Sequence, residues 1–238
     1  MTKQERESIK RSRMMKYFID AANEIINRDG VSSVTIRNAA SLAGYSSATL
    51  YNYFDNLTHL IFLSILDQLD EYNKALKKAI SKSSNSLEVY MQVCACFCEY
   101  AYAKPEIYWL LFFAHGEGKF DAYLKQYYEI FPDKIAKASP LFLDKMFHSN
   151  NIYDRSFFML ERCVNDGYLQ AGLVNDFNDI CLRFNKTILQ DVKDGILSQD
   201  DATKMTMRYY HQLLNFYATD DGRVMLNRCC KEYAGIKI

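Results

Sequence analysis

Apolar residues recur at three- and four-residue spacing along most of this chain, and only 3 prolines and 9 glycines interrupt its 238 residues. That spacing gathers side chains on one side of an α-helix, whereas a half-buried strand needs strict alternation. Few stretches alternate, so the pattern predicts an all-α protein. Apolar types make up 49% of the residues, enough for a sizeable core. The length suits one small domain and one larger one. We place the first at 1–56 and the second at 57–238.

The stripe of Met15, Phe18, Ile19, Ala22, Ile25 and Ile26 predicts a first helix over about 8–29. Gly30 follows, where a positive-φ stop belongs. A second, short helix is expected to be capped by Thr35 and to turn Ile36, Ala39, Ala40 and Leu42 inward. Gly44 ends it. Ser46 is positioned to cap a third helix, which ends near Phe54. Asp55 or Asn56 caps a fourth helix of about 25 residues, broken by the polar stretch 81–86. Further helices are expected at about 87–103, 105–115, 117–130, 154–171, 177–197 and 200–217. Pro105 suits a first turn. Pro132 and Pro140 mark a kinked or broken stretch over 131–147.

Formal net charge is zero, so overall composition gives no argument for a polyanionic partner. The charge is uneven, however. Lys3, Arg6, Lys10, Arg11, Arg13 and Lys16 face only Glu5 and Glu7 in the first sixteen residues. Such a basic arm suits phosphate contacts. A solvated, frayed terminus accounts for the same charges equally well. Ile9 is the one strongly apolar residue between the first Met and residue 13, which gives no signal-peptide core. The longest aromatic-aliphatic run, 108–114, falls far short of the ~20 residues that span a bilayer. Seven cysteines in an ordinary helical chain suggest no disulfide framework. These features point to the cytoplasm and to no membrane partner.

The segment 35–54 reads Thr-Ile-Arg-Asn-Ala-Ala-Ser-Leu-Ala-Gly-Tyr-Ser-Ser-Ala-Thr-Leu-Tyr-Asn-Tyr-Phe. It meets the physical requirements of a helix-turn-helix. Two helices that cross closely need a small residue at the crossing, and Ala40 supplies it. A tight turn needs tolerance of positive φ, and Gly44 stands four residues on. The second helix needs a core anchor, and Leu50 lies six residues past the glycine. That leaves Ser46, Ser47, Ala48, Thr49, Tyr51, Asn52 and Tyr53 to divide between groove, phosphates and packing. Small polar residues opening such a helix permit close approach to base edges. The competing reading is a helical hairpin that uses the turn for packing alone.

These residues resemble the TetR family of repressors. The family pattern falls in register on Thr35, Ala40, Gly44, Ser46, Thr49, Leu50, Tyr51, Tyr53 and Phe54. The resemblance covers about residues 10–60. It implies an N-terminal three-helix DNA-binding domain and a larger helical domain for ligand binding and dimerisation. It further implies that Tyr51 contacts a phosphate and that Arg37 reaches a phosphate or groove edge. Ser46, Ser47, Ala48 and Asn52 would face the major groove, and Thr35 and Thr49 could donate hydroxyls to the DNA backbone. Tyr53 and Phe54 are expected to pack. Two positions depart from the family: Tyr45 stands where valine usual, and Leu57 where a phosphate-binding lysine is common.

A reading head this small needs a larger footprint for selective binding, and a two-fold dimer on a palindrome provides one. The family dimerises through its last two long helices. The matching stripes here include Phe184 and Ile188 on the first helix and Tyr209, Leu213 and Phe216 on the second. Either stripe could equally fill a monomer core. The chain holds 18 Tyr and 15 Phe. The resemblance implies a pocket for a small apolar or aromatic effector, with Tyr102, Trp109, Phe113 and Phe158 as candidate walls. Simple core filling accounts for the same aromatics.

Catalytic and metal chemistry finds little support. Cys94 and Cys98 share a helix face while Cys96 points nearly opposite, so a helix cannot gather all three on one metal. Core thiols suit them better. Cys229 and Cys230 are adjacent and leave a redox role open. The four histidines lie far apart, and no phosphate-cradling glycine loop or nucleophile elbow occurs. No enzyme activity, cofactor or metal is expected. The expected partners are double-stranded operator DNA, a second copy of the chain, and a small-molecule effector.

Overall fold

In the computed structural model, residues 2–113, 119–131, 152–229, 232–233 and 236–237 are described. Eleven α-helices run through them. In order they are α1 (Lys3–Asp29), α2 (Ile36–Leu42), α3 (Ser47–Tyr51), α4 (Leu57–Ile80), α5 (Ser86–Ala103) and α6 (Pro105–Phe112). There follow α7 (Lys119–Ile130), α8 (Ile152–Asn165), α9 (Val174–Lys193), α10 (Gln199–Tyr217) and α11 (Asp220–Cys229). Single 3-10 turns occupy Val31–Ser33 and Ala171–Leu173. An antiparallel pair of two-residue strands, Glu232–Tyr233 and Ile236–Lys237, closes the described chain. The fold is all-α with a helix-turn-helix near its start and a larger helical part after it. The stretch 132–151, with Pro132 and Pro140, lies outside the described residues, as does Cys230.

The chain forms two compact units. One holds Met1–Asp70 and His115–Lys137; the other holds Glu71–Ala114 and Ala138–Ile238. In the first unit α1 starts at Lys3, five residues earlier than the apolar stripe alone signals. The reason is a reciprocal cap. Thr2 Oγ1 accepts from the Glu5 amide at 3.2 Å, and Glu5 accepts from the Thr2 amide at 2.7 Å. The basic residues of this region therefore stand on a helix and not on a free arm. Met15, Phe18, Ile19, Ala22, Ile25 and Ile26 are all buried, and they meet Ala39, Ala40, Leu50 and Phe54 in one core. Gly30 closes α1 with φ 86° and ψ 165°, a positive φ outside the left-handed helical basin.

The second unit packs α5 against α8, α9 and α10. Helix α5 is buried nearly all round: Cys94, Cys96 and Cys98 all lie within the protein. Burial pushes the Cys96 and Cys98 thiols up to about 12, so both are neutral thiols at physiological pH. A polar lattice ties three helices together. The hydroxyls of Tyr102 and Thr206 meet at 2.7 Å, Tyr102 donates to Asn185 Oδ1 at 3.5 Å, and Asn185 donates to the Tyr210 hydroxyl. Where α11 begins, Gly222 passes the backbone of Tyr168 so closely that a Cβ there would stand 2.1 Å from its carbonyl oxygen. Among the described residues no helix is long and apolar enough to cross a membrane.

Candidate functional site

Helix α2 is fixed at its start by a second reciprocal cap. Thr35 Oγ1 accepts from the Asn38 amide at 3.1 Å, while Asn38 Oδ1 accepts from the Thr35 amide at 2.7 Å and its Nδ2 donates to the Ser33 carbonyl at 2.7 Å. The turn then follows the expected geometry. Gly44 has φ 80°, and the Tyr45 amide returns to the Ala40 carbonyl at 2.9 Å. Ala40 is 1% exposed, so nothing larger fits at the crossing. Ser46 caps α3, its Oγ accepting from the Thr49 amide at 3.1 Å. Leu50 is fully buried and anchors the short helix.

With that anchor inside, the rest of α3 faces outward. Thr35, Arg37, Ser46, Ala48, Tyr51 and Asn52 are exposed, and Ser47 and Thr49 are half-buried. All eight thus lie at the surface of one pair of short helices. The Thr35 hydroxyl accepts one bond in its cap, which leaves its hydrogen available to an outside acceptor. The Ser46 and Thr49 hydroxyls bond each other at 2.9 Å, so one of the two hydrogens remains. Tyr51 is 57% exposed, while Phe54 is buried and Tyr53 is half-buried against Phe18 at 6.0 Å.

The periodicity of α2 turns Leu42 inward, but the structure does not. Leu42 is 43% exposed. The helix ends at this residue, and Ala43 and Gly44 turn the chain before the periodicity completes another inward position. Tyr45, in place of the family's valine, lays its ring 5.4 Å from Phe18 and 6.4 Å from Tyr17. The larger side chain thus caps the edge of the core.

Two features of this unit had no motif to announce them. Arg11 on α1 donates to the carbonyls of Asn52 and Tyr53 at 3.0 and 3.2 Å, satisfying orphan acceptors at the end of α3. His59 is buried at the start of α4, stacked on Tyr123 of α7 at 4.7 Å. Its Nδ1 accepts from the Asp55 amide at 3.2 Å and its Nε2 meets Gln126 Oε1 at 2.8 Å. Burial lowers its pKa, opposed by Gln126 and by the Asp55 carboxylate. Asn56 takes the cap of α4, accepting from the His59 amide at 2.9 Å.

Residues 18–62 match the family model described as bacterial regulatory proteins, tetR family. Over those residues the chain is similar to that family. A search of curated protein sequences gives no match. Among solved structures, RolR in complex with resorcinol superposes with a TM-score of 0.59 at 15% identity, covering 92% of this chain and 95% of that one. A TetR-family regulator from Syntrophomonas wolfei gives 0.54 at 15% identity, over 85% and 95%. Thermus thermophilus FadR in complex with lauroyl-CoA gives 0.52 at 13% identity, over 84% and 92%. The TetR-type fold therefore extends through the larger helical part. The Syntrophomonas wolfei and Thermus thermophilus proteins are described as TetR-family transcription regulators.

The TetR-type larger unit holds a partly open cavity of about 70 Å³. Its wall draws on Tyr72, Tyr90, Phe97, Phe112, Met159 and Tyr210, among others. Tyr102, Trp109, Phe113 and Phe158 are not part of this wall. Tyr102 is held in the polar lattice beneath. Trp109 and Phe113 meet as tilted rings at 5.7 Å, with Lys186 and Lys193 over the indole at 5.6 and 5.5 Å. Phe158 is half-buried on α8. The cavity instead takes Phe97 and Phe112 from the same aromatic cluster. Of the stripe on α9 and α10, Ile188 lies in the core, with 4% exposed. Phe184, Tyr209 and Leu213 are half-buried, and Phe216 is 70% exposed. Among the described residues no three metal-ligating side chains stand together.

Proposed function

We propose that the chain is a ligand-responsive repressor that binds a palindromic operator as a homodimer. The observation that carries this reading is the exposed edge of α2 and α3. Arg37, Ser46, Ser47, Ala48, Tyr51 and Asn52 share it, and small side chains open the second helix. That profile suits insertion into a major groove, with Tyr51 and Arg37 on flanking phosphates and Ser47, Ala48 and Asn52 toward base edges. Thr35 and Thr49 add hydroxyls to the backbone contacts.

Dimerisation is supported by the apolar surface on α9 and α10, where Ile180 and Phe216 are exposed beside Phe184 and Leu213. The effector site is supported by the cavity of the larger unit. An effector that prefers a spacing of the two reading heads unable to match adjacent grooves lowers operator affinity by the ratio of its affinities for the two states. RolR and the Thermus thermophilus FadR, described as a transcriptional repressor, are each solved with a small molecule bound.

Selection of bound duplexes from a random pool tests the reading. The expected product is a palindrome with half-sites about one helical turn apart. An unpaired half-site would refute the dimer, and a selected pool no richer in any sequence than its input would refute the function.

A further inference from the structure

The cavity of the larger unit is apolar over most of its wall, through Val93, Phe97, Phe112, Ile152 and Leu182. Its polar groups gather around one residue. Tyr90 on α5 is 1% exposed, and its hydroxyl meets no partner in good hydrogen-bond geometry. The Ser156 hydroxyl and the Cys94 thiol stand beside it. The ring packs against Phe177 and Tyr210 at centroid distances of 6.0 and 6.1 Å. A buried hydroxyl without a partner is costly, and a ligand that supplies the partner recovers that cost.

The neighbours of that hydroxyl are uncharged. Burial holds the Tyr90 and Tyr210 hydroxyls and the Cys94 thiol in their protonated forms. A carboxylate placed among them would lose its hydration without gaining a countercharge. The Arg155 guanidinium also borders the cavity, but it lies 5.6 Å over the Phe112 ring and is half in solvent.

We propose that the cavity takes an uncharged, ring-sized molecule bearing a hydroxyl that pairs with the Tyr90 hydroxyl. This rests on the reading of the cavity as the effector site and adds the chemical class of its occupant. Tyr90 is then a ligand-contacting residue, and the aromatic wall supplies the remaining affinity.

Isothermal titration of the full chain with p-cresol, toluene and 4-methylbenzoate at pH 7 tests it. These probes share a ring and a methyl group and differ in the head. p-Cresol is expected to bind about five- to tenfold tighter than toluene, the worth of one hydrogen bond. Tyr90→Phe should erase that advantage, leave toluene affinity unchanged and raise the thermal midpoint of the free chain by a few degrees, because it removes the costly unpartnered hydroxyl. Equal binding of p-cresol and toluene, an unaltered p-cresol affinity in the variant, or no binding of any probe overturns the proposal. Tightest binding of 4-methylbenzoate overturns it too, by placing the head on Arg155. DNA release is read separately, with the same probes on a selected duplex. Tyr90-dependent p-cresol binding without release supports the ligand class and refutes the effector reading. Release by toluene and p-cresol at equal concentrations refutes the ligand class and supports the effector reading.

Discussion

The Arg11 guanidinium lies 5.4 Å over the Tyr53 ring and donates to the Tyr53 carbonyl at 3.2 Å. A basic residue of the first helix thereby braces the exit of α3, the helix with the outward-facing small polar side chains. Its second donor reaches the Asn52 carbonyl at 3.0 Å. Arg11→Ala should lower operator affinity about tenfold by loosening α3, since charge-assisted bonds contribute about 1.5–3 kcal/mol. The slope of affinity against salt should stay within error. A phosphate contact by Arg11 would instead reduce that slope by about one.

Leu50 and Tyr51 are neighbours with opposite duties. Leu50→Ala empties a fully buried position and should cost about 2–5 kcal/mol in denaturant unfolding. Tyr51→Phe removes only an exposed hydroxyl. It should leave the unfolding midpoint unchanged and weaken duplex binding about tenfold.

Gly44 has φ 80°, with nothing within 4 Å of where a Cβ would stand. Gly44→Ala meets no clash, so its cost is conformational, about 1–2 kcal/mol. Gly44→Asn should recover part of that loss, because Asn tolerates the left-handed region better. Thermal unfolding of both variants checks the order.

His59 carries a pH dependence. Burial lowers its folded-state pKa below the ordinary ~6.5, so the unfolded chain binds the proton more readily. The contribution is fully present above ~6.5 and is lost as pH falls from there toward the folded value. His211 is shifted in the same direction by burial. The thermal midpoint should drop between pH 7.5 and 5.5, and His59→Gln should flatten that drop.

Local signals carried far in the first unit. The caps of Thr35 and Ser46, the crossing at Ala40, the turn at Gly44 and the anchor at Leu50 each depend on residues within a few positions, so they are readable in order along the chain. Arg11 bracing a helix more than forty residues away is not, because nothing in its neighbourhood names its acceptors. The stacking of His59 on Tyr123 is hidden for the same reason. In the larger unit, aromatic clustering marks the region of the cavity but not its wall. Tyr102 and Phe97 share α5, yet one enters a hydrogen-bond lattice and the other the cavity. That division depends on the rotation of helices that pack only after folding. Ile188 illustrates it again: one turn along the same face from half-buried Phe184, it lies in the core.

Phe216, 70% exposed on α10, tests the subunit contact. Phe216→Glu should shift sedimentation toward monomer and lower operator affinity, while leaving the helical circular dichroism of the chain intact.

The central claim concerns the edge formed by α2 and α3. It is tested most directly by fluorescence anisotropy of the chain on its selected duplex and on a scrambled duplex of equal length at 150 mM salt. The account predicts a preference of about a thousandfold or more for the selected sequence, falling by about tenfold or more in Asn52→Ala. Equal affinity for the two duplexes, or a preference that Asn52→Ala and Tyr51→Phe both leave untouched, would contradict it.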